Sequence, residues 1–189
     1  QDNFIWVGTD QGLIQFDGIE SDIFRSNPFS ATSLSGNRIW FLDNYSNDTL
    51  IVISDDAIHL YSKKSYQFEK FNIGSRPTNY FKEDGEIWIT TLSSGVYKLD
   101  KNKILASFKF EPLNPFSISS SNFESINGNK FAKDSSGSVW LATSSGLNQI
   151  LSDNSVRRYF KSNTNNQLLS ENIISLYLTN DDTLLVGTN

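Results

Sequence analysis

The chain of 189 residues contains no cysteine and no methionine, and its one histidine is His59. Without cysteine, disulfides and thiolate metal sites are excluded. Absence of cysteine fits an extracytoplasmic protein that avoids mispairing. A single histidine between Ile58 and Leu60 on a strand-like run reads as a strand-surface or packed residue. No Ser/His/acid arrangement can be assembled around it, so no catalytic residue is assigned. No His/Asp/Glu cluster has metal-ligand spacing, so neither metal nor cofactor is expected. Positive charge is scarce as well: 16 Lys and Arg against 21 Asp and Glu give a net charge of −5. Nucleic-acid binding, which needs a basic face, is excluded as a function class. The basic pairs Lys63-Lys64 and Arg157-Arg158 read as solvated strand ends. No apolar run approaches the roughly 18 residues that span a bilayer. No window has a 3.6-residue period, so helices should be few.

What the chain has instead is a repeat. Phe4 to Asp17 reads as a short apolar run ending in Gly8-Thr9, a polar turn with Gly12, and a second apolar run ending in Phe16-Asp17. That is a hairpin. Val139 to Ile150 and Glu86 to Asp100 repeat it, and Leu184 to Thr188 begins it again. Aligned on the first-strand tryptophan, the copies fall at Trp6, Ile51, Trp88, Trp140 and Leu185, with spacings of 45, 37, 52 and 45. The second copy is degenerate: Ile53-Ser54 replaces Gly-Thr and Ala57 replaces the turn glycine, so its turn is expected to be built differently, since alanine tolerates positive φ poorly. Each unit continues with a third strand, a polar Asn/Pro/Ser loop, a Leu/Ser element and a fourth strand.

Four short strands in about 45 residues is the sequence form of a propeller blade. Consecutive apolar residues, as in Ile5-Trp6-Val7 and Ile87-Trp88-Ile89, predict strands covered on both faces. Gly8 and Gly187 sit where strands would converge. A β-solenoid is the competing repeat fold, though its repeats are shorter. The expected architecture is all-β: about four four-stranded blades, part of a larger, seven-bladed β-propeller. The units are placed roughly at 1–43, 44–82, 83–133 and 134–180, with a further blade beginning at 181–189. Because the chain opens and closes inside the repeat, it is expected to be a piece of a longer protein.

Trp6-Val7-Gly8-Thr9 with Gly12-Leu13 and Phe16-Asp17-Gly18 resembles the two-component regulator propeller repeat, as does Trp140-Leu141-Ala142-Thr143 with Gly146-Leu147. The linker Asn27-Pro28, Ser33-Leu34-Ser35, Asn37 is a second matching feature. Departures are the degenerate second copy, an extra residue between Trp88 and Gly95, and an insertion around Ile126 to Asn129. The resemblance implies the periplasmic sensor region of an inner-membrane receptor, with a histidine kinase or GGDEF-type diguanylate cyclase output outside this segment. It implies a non-catalytic ligand-sensing segment, a homodimer formed through the receptor, and a small molecule or glycan fragment as ligand. Contact with the membrane would come only through other parts of the chain. The rivals are a structural or protein-binding propeller without small-molecule ligand, and a propeller enzyme such as a lyase.

Recurrence at one repeat position makes Trp6, Trp88 and Trp140 packing residues. Trp40 lies elsewhere, in a fourth strand, where it either packs or offers a stacking surface. The paired acids Asp55-Asp56, Glu83-Asp84 and Asp181-Asp182 read as turn residues. Asn37, Asn122 and Asn172 read as a repeated backbone-satisfying turn position. Ligand-binding candidates are therefore the non-repeated residues near the blade entry loops: Arg38, Trp40, Asn79, Tyr80 and Lys82.

Overall fold

In three of the repeats the threonine that ends the tryptophan strand closes the hairpin. The hydroxyl of Thr9 donates to Gly12 O at 2.8 Å, Thr91 to Gly95 O at 2.9 Å and Thr143 to Gly146 O at 2.7 Å. Ser54 makes the same bond to Ala57 O at 3.3 Å, and its backbone N–H reaches Ala57 O at 2.9 Å. Gly12, Gly95 and Gly146 all have positive φ, whereas Ala57 does not. The degenerate copy thus keeps the closing bonds and changes only the backbone path.

The computed structural model describes residues 4–100, 103–123, 128–161 and 168–188. All regular structure among these residues is β. The chain divides into two compact units, residues 1–77 and 78–189. The first unit holds two antiparallel sheets. One joins β1 (Ile5–Gly8), β2 (Leu13–Phe16) and β3 (Ser21–Phe24) in that order. The other joins β4 (Ile39–Ser46), β5 (Thr49–Ser54), β6 (Ile58–Ser62) and β7 (Gln67–Phe71). In the second unit one sheet has the order β11-β10-β9-β8, from β8 (Pro77–Glu83), β9 (Glu86–Thr91), β10 (Val96–Asp100) and β11 (Lys103–Phe108). The next has the order β12 (Phe131–Lys133), β13 (Val139–Thr143), β14 (Gly146–Ile150) and β15 (Val156–Tyr159). Last, β16 (Ile173–Leu178) pairs with β17 (Leu184–Thr188). The strand that closes each sequence unit hydrogen-bonds to the Trp strand of the next, so the sheets run one strand out of phase with the sequence units.

Sheets pack face to face within each unit. Leu13, Leu34, Leu50, Val52, Tyr61 and Phe68 form the core of the first, with Trp6 and Phe24 against them. Trp88, Val96, Phe108, Phe131, Val139 and Leu141 belong to the main core of the second, and Ala142, Leu147, Ile173 and Leu176 to a smaller one. Two-faced burial holds where it was expected at Ile87-Trp88-Ile89, all at most 2% exposed. It does not hold at β1, where Ile5 is 59% and Val7 43% exposed. The β1 sheet is packed through its Trp6 face, where the indole lies 5.2 Å from Tyr61 and 6.0 Å from Phe24 between ring centroids. Gly8 leaves room for a neighbour: a Cβ there would come within 2.7 Å of Ile39.

Candidate ligand-binding site

The linkers between sheets are held by one recurring device. Ser33 Oγ accepts from Asn27 N, and its single proton has Asn27 O, Ser30 O and Leu34 O within 2.9–3.1 Å as acceptors. Ser117 Oγ repeats this with Glu111, Asn114 and Ile118. Leu34 and Ile118, the residues that follow, are fully buried. This alignment places Arg38, not Asn37, opposite Asn122, and so revises the register read from sequence. Asn37 Oδ1 instead accepts Ser26 N at 2.7 Å, as Ser121 Oγ accepts Phe110 N at 2.6 Å. Asn122 N and Asn172 N donate to the hydroxyls of Ser120 and Ser170, two residues earlier. Arg38 therefore stands where other linkers carry a turn asparagine.

His59 serves the same device. It is fully buried on β6, and its Nε2 lies 3.1 Å from Ser35 N and 2.9 Å from Ser35 Oγ. Asn148 holds the equivalent place on β14, with Ser119 N donating to its Oδ1 at 2.8 Å. Because Ser35 N–H must donate to Nε2, the ring is neutral in the fold. Burial, helped by the charge of Lys70, lowers its pKa from 6.5 to about 4. Between those values the unfolded chain binds a proton that the folded chain does not. Stability is therefore complete above pH 6.5 and falls as pH drops toward 4. The difference of 6.5 − 4 = 2.5 corresponds to a loss of about 3 kcal/mol. Replacing His59 with Asn, the residue used at Asn148, is expected to remove this pH dependence while keeping the bond to Ser35. Chemical denaturation of both proteins at pH 7 and pH 4.5 checks it.

The strand partner of each of these residues is a cation, Lys70 opposite His59 and Arg158 opposite Asn148. Arg158 is not the solvated strand end expected from sequence. Its guanidinium donates to Asn114 O at 2.8 Å and Ile118 O at 3.1 Å, and also to Ser117 O and Oγ. It clamps the linker. Lys70, with an exposed ammonium, makes no such bond among the described residues.

The sequence-derived candidates separate into two groups. Arg38 and Trp40 belong to the first unit. The Arg38 guanidinium lies 4.1 Å from the centre of the Trp40 ring, and the indole N–H donates to Asp55 Oδ1 at 2.5 Å. Asp55 N–H in turn donates to Arg38 O at 3.2 Å. The result is a half-buried indole, locked at its N–H and covered by an exposed arginine, at the turn of the degenerate copy. Asn79, Tyr80 and Lys82 lie on β8 in the second unit. Asn79 is buried and donates to Gly128 O at 3.2 Å; Tyr80 and Lys82 are half-buried. Of the insertion around Ile126 to Asn129, residues 126 and 127 lie outside the described residues, as does Glu124, the counterpart of Trp40.

Sequence reasoning missed the cleft beside Trp40. Residues 25–38 form a long linker between β3 and β4, but only residues 72–76 separate β7 from β8. Next to this short linker lies a cleft of about 650 Å³ lined by Asp55, Asp56, Lys70, Phe71, Asn72 and Arg76. The signal was present in the short 37-residue spacing of the second copy. It became readable once the strand ends were known. Among the described residues no group of three or more His, Asp or Glu is arranged to hold a metal ion.

No protein family matches the chain, and no curated protein matches its sequence. Its structure is similar to the extracellular domain of the hybrid two component system BT4673 of B. thetaiotaomicron, with TM-score 0.65 and 21% identity over 98% of this chain and 27% of that one. It is also similar to the extracellular domain of the hybrid two component system BT3049 of the same organism, with TM-score 0.54 and 16% identity over 99% of this chain and 31% of that one. Virginiamycin B lyase from Staphylococcus aureus aligns with TM-score 0.55 and 15% identity, over 98% of this chain and 64% of the enzyme. The chain thus spans about a quarter to a third of the two extracellular domains it resembles. Together with the repeated four-stranded sheets, these likenesses establish an all-β fold of the β-propeller class.

Proposed function

We propose that this chain is a ligand-sensing propeller segment from the periplasmic part of a membrane-bound receptor. In this reading the output is a hybrid histidine kinase or a diguanylate cyclase elsewhere in the protein, and the segment itself performs no chemistry. The observation that carries the reading is the alignment of 98% of the chain with the extracellular domain of a hybrid two component system. The repeat points the same way, because Thr9, Thr91 and Thr143 each close a hairpin. The recognisable residues of the repeat thus serve the scaffold and leave recognition to the positions that break it. Arg38 and Trp40 are the proposed contact surface in the first unit, and Tyr80 and Lys82 in the second, with Asn79 holding the Gly128 backbone. The ligand would be a small molecule or a glycan fragment. It would act by favouring one arrangement of two receptor chains over another, since a ligand shifts such an equilibrium only through differential affinity. The full-length gene product should carry a membrane span and a signalling output domain. A full-length product lacking both would overturn the reading.

A further inference from the structure

We infer that the cleft beside the short linker 72–76 binds a small zwitterion carrying a free amino group and a free carboxylate, an amino acid or dipeptide. The inference rests on the sensor reading and names a ligand class for a first-unit cleft joined to the Arg38–Trp40 surface through Asp55. Two carboxylates, Asp55 and Asp56, and two cations, Lys70 and Arg76, share this one cleft. Among the described residues, neither acid forms an ion pair with either cation. Opposite charges held in one cleft without neutralising each other are complementary to a ligand that carries both.

The two acids are positioned by the fold. Asp55 Oδ1 accepts the Trp40 indole N–H, which fixes the orientation of this cleft-lining carboxylate. Asp56 lies against the linker backbone, where a Cβ on Gly36 would come within 2.8 Å of its Oδ2. Only glycine at position 36 leaves that carboxylate its place. Arg76 is exposed and makes no hydrogen bond among the described residues, so its planar fork is available for a bidentate carboxylate contact. Phe71 is half-buried and supplies an apolar wall. A volume of about 650 Å³ lies within the range of roughly 300–1,000 Å³ usual for small-molecule sites.

Calorimetric titration of the 189-residue chain with glycyl-L-phenylalanine, its N-acetylated form and its C-terminal amide tests the inference. The free dipeptide should bind, and each blocked form should bind at least about tenfold more weakly, because one set of charges in the cleft then meets no opposite charge on the ligand. Arg76→Ala and Asp56→Asn should each weaken binding by a similar factor and leave the melting temperature unchanged. Absence of dipeptide binding, equal binding of the blocked forms, or full affinity in both variants would overturn the inference. If D-glucose or D-glucuronate binds instead and Arg76→Ala abolishes it, the ligand class is wrong while the sensor reading stands. A full-length product without membrane span or output domain would sink the sensor reading whatever the titrations show.

Discussion

Replacing Trp88 with Ala should cost about 3–5 kcal/mol, the range for deleting a large aromatic from a packed core. Trp88 is 2% exposed, and its flanking residues Ile87 and Ile89 are equally buried. Its ring lies 5.6 Å from Phe108 and 6.4 Å from Phe131 between centroids, which joins the β8–β11 sheet to the β12–β15 sheet. The Lys98 ammonium sits 5.2 Å from the ring centre. Truncation removes one of the ring contacts that join the two sheets, and neighbouring β-strands cannot collapse into the space without breaking register. Natural domains hold only about 5–15 kcal/mol in total. The variant should therefore unfold at much lower urea, or fail to fold. Trp40→Ala makes the comparison, because that ring is half-buried and edged by solvent. Urea denaturation of both proteins measures the difference. A loss below about 1 kcal/mol for Trp88→Ala, well under the usual core range, would show that the recurring tryptophan is not core.

Gly95→Ala should be nearly as damaging, for a backbone reason. Gly95 has φ +81, and a Cβ there would stand 2.1 Å from Phe108 O and 3.1 Å from Phe108 C. Left-handed backbone costs a non-glycine residue roughly 1–2 kcal/mol. The clash adds to that, because its partner is backbone of the β11 edge and cannot turn aside. A total of about 3 kcal/mol or more is expected once overpacking is included. Gly137 is the control: it also has φ +81, but no atom lies within 4 Å of its would-be Cβ. Gly137→Ala should show the conformational cost alone, about 1–2 kcal/mol. Equal losses at the two positions, measured by thermal unfolding, would contradict the steric argument.

These two positions also show why so much of the fold could be read from the sequence. Trp88 and Gly95 recur in kind because each hairpin packs its tryptophan strand against a neighbouring sheet and turns sharply after it. Such needs are local and leave a periodic trace, so the strand pattern and the hairpins were readable. The site was less so. Arg38 and Trp40 stood out because they depart from the repeat, yet their link to Asp55 spans a sheet pairing that no spacing reveals. The register error that paired Asn37 with Asn122 has the same origin. The linker is fixed by Ser33 and Ser117 through bonds to backbone carbonyls, and carbonyls have no sequence signature. Likewise His59 and Asn148 share a role without chemical likeness, because each is defined by the serine N–H it accepts. The Arg158 clamp looked like a surface charge pair for want of that same information.

This propeller segment is proposed to lie outside the cytoplasm as the sensing part of a membrane receptor. Limited trypsin treatment of spheroplasts, with the full-length protein detected by antibodies to this segment and to its far end, tests it most directly. The account predicts that the segment's signal is lost from intact spheroplasts, while a membrane-bound fragment carrying the output end survives. A segment protected until the membrane is lysed, or a full-length protein found in the soluble fraction, would contradict it.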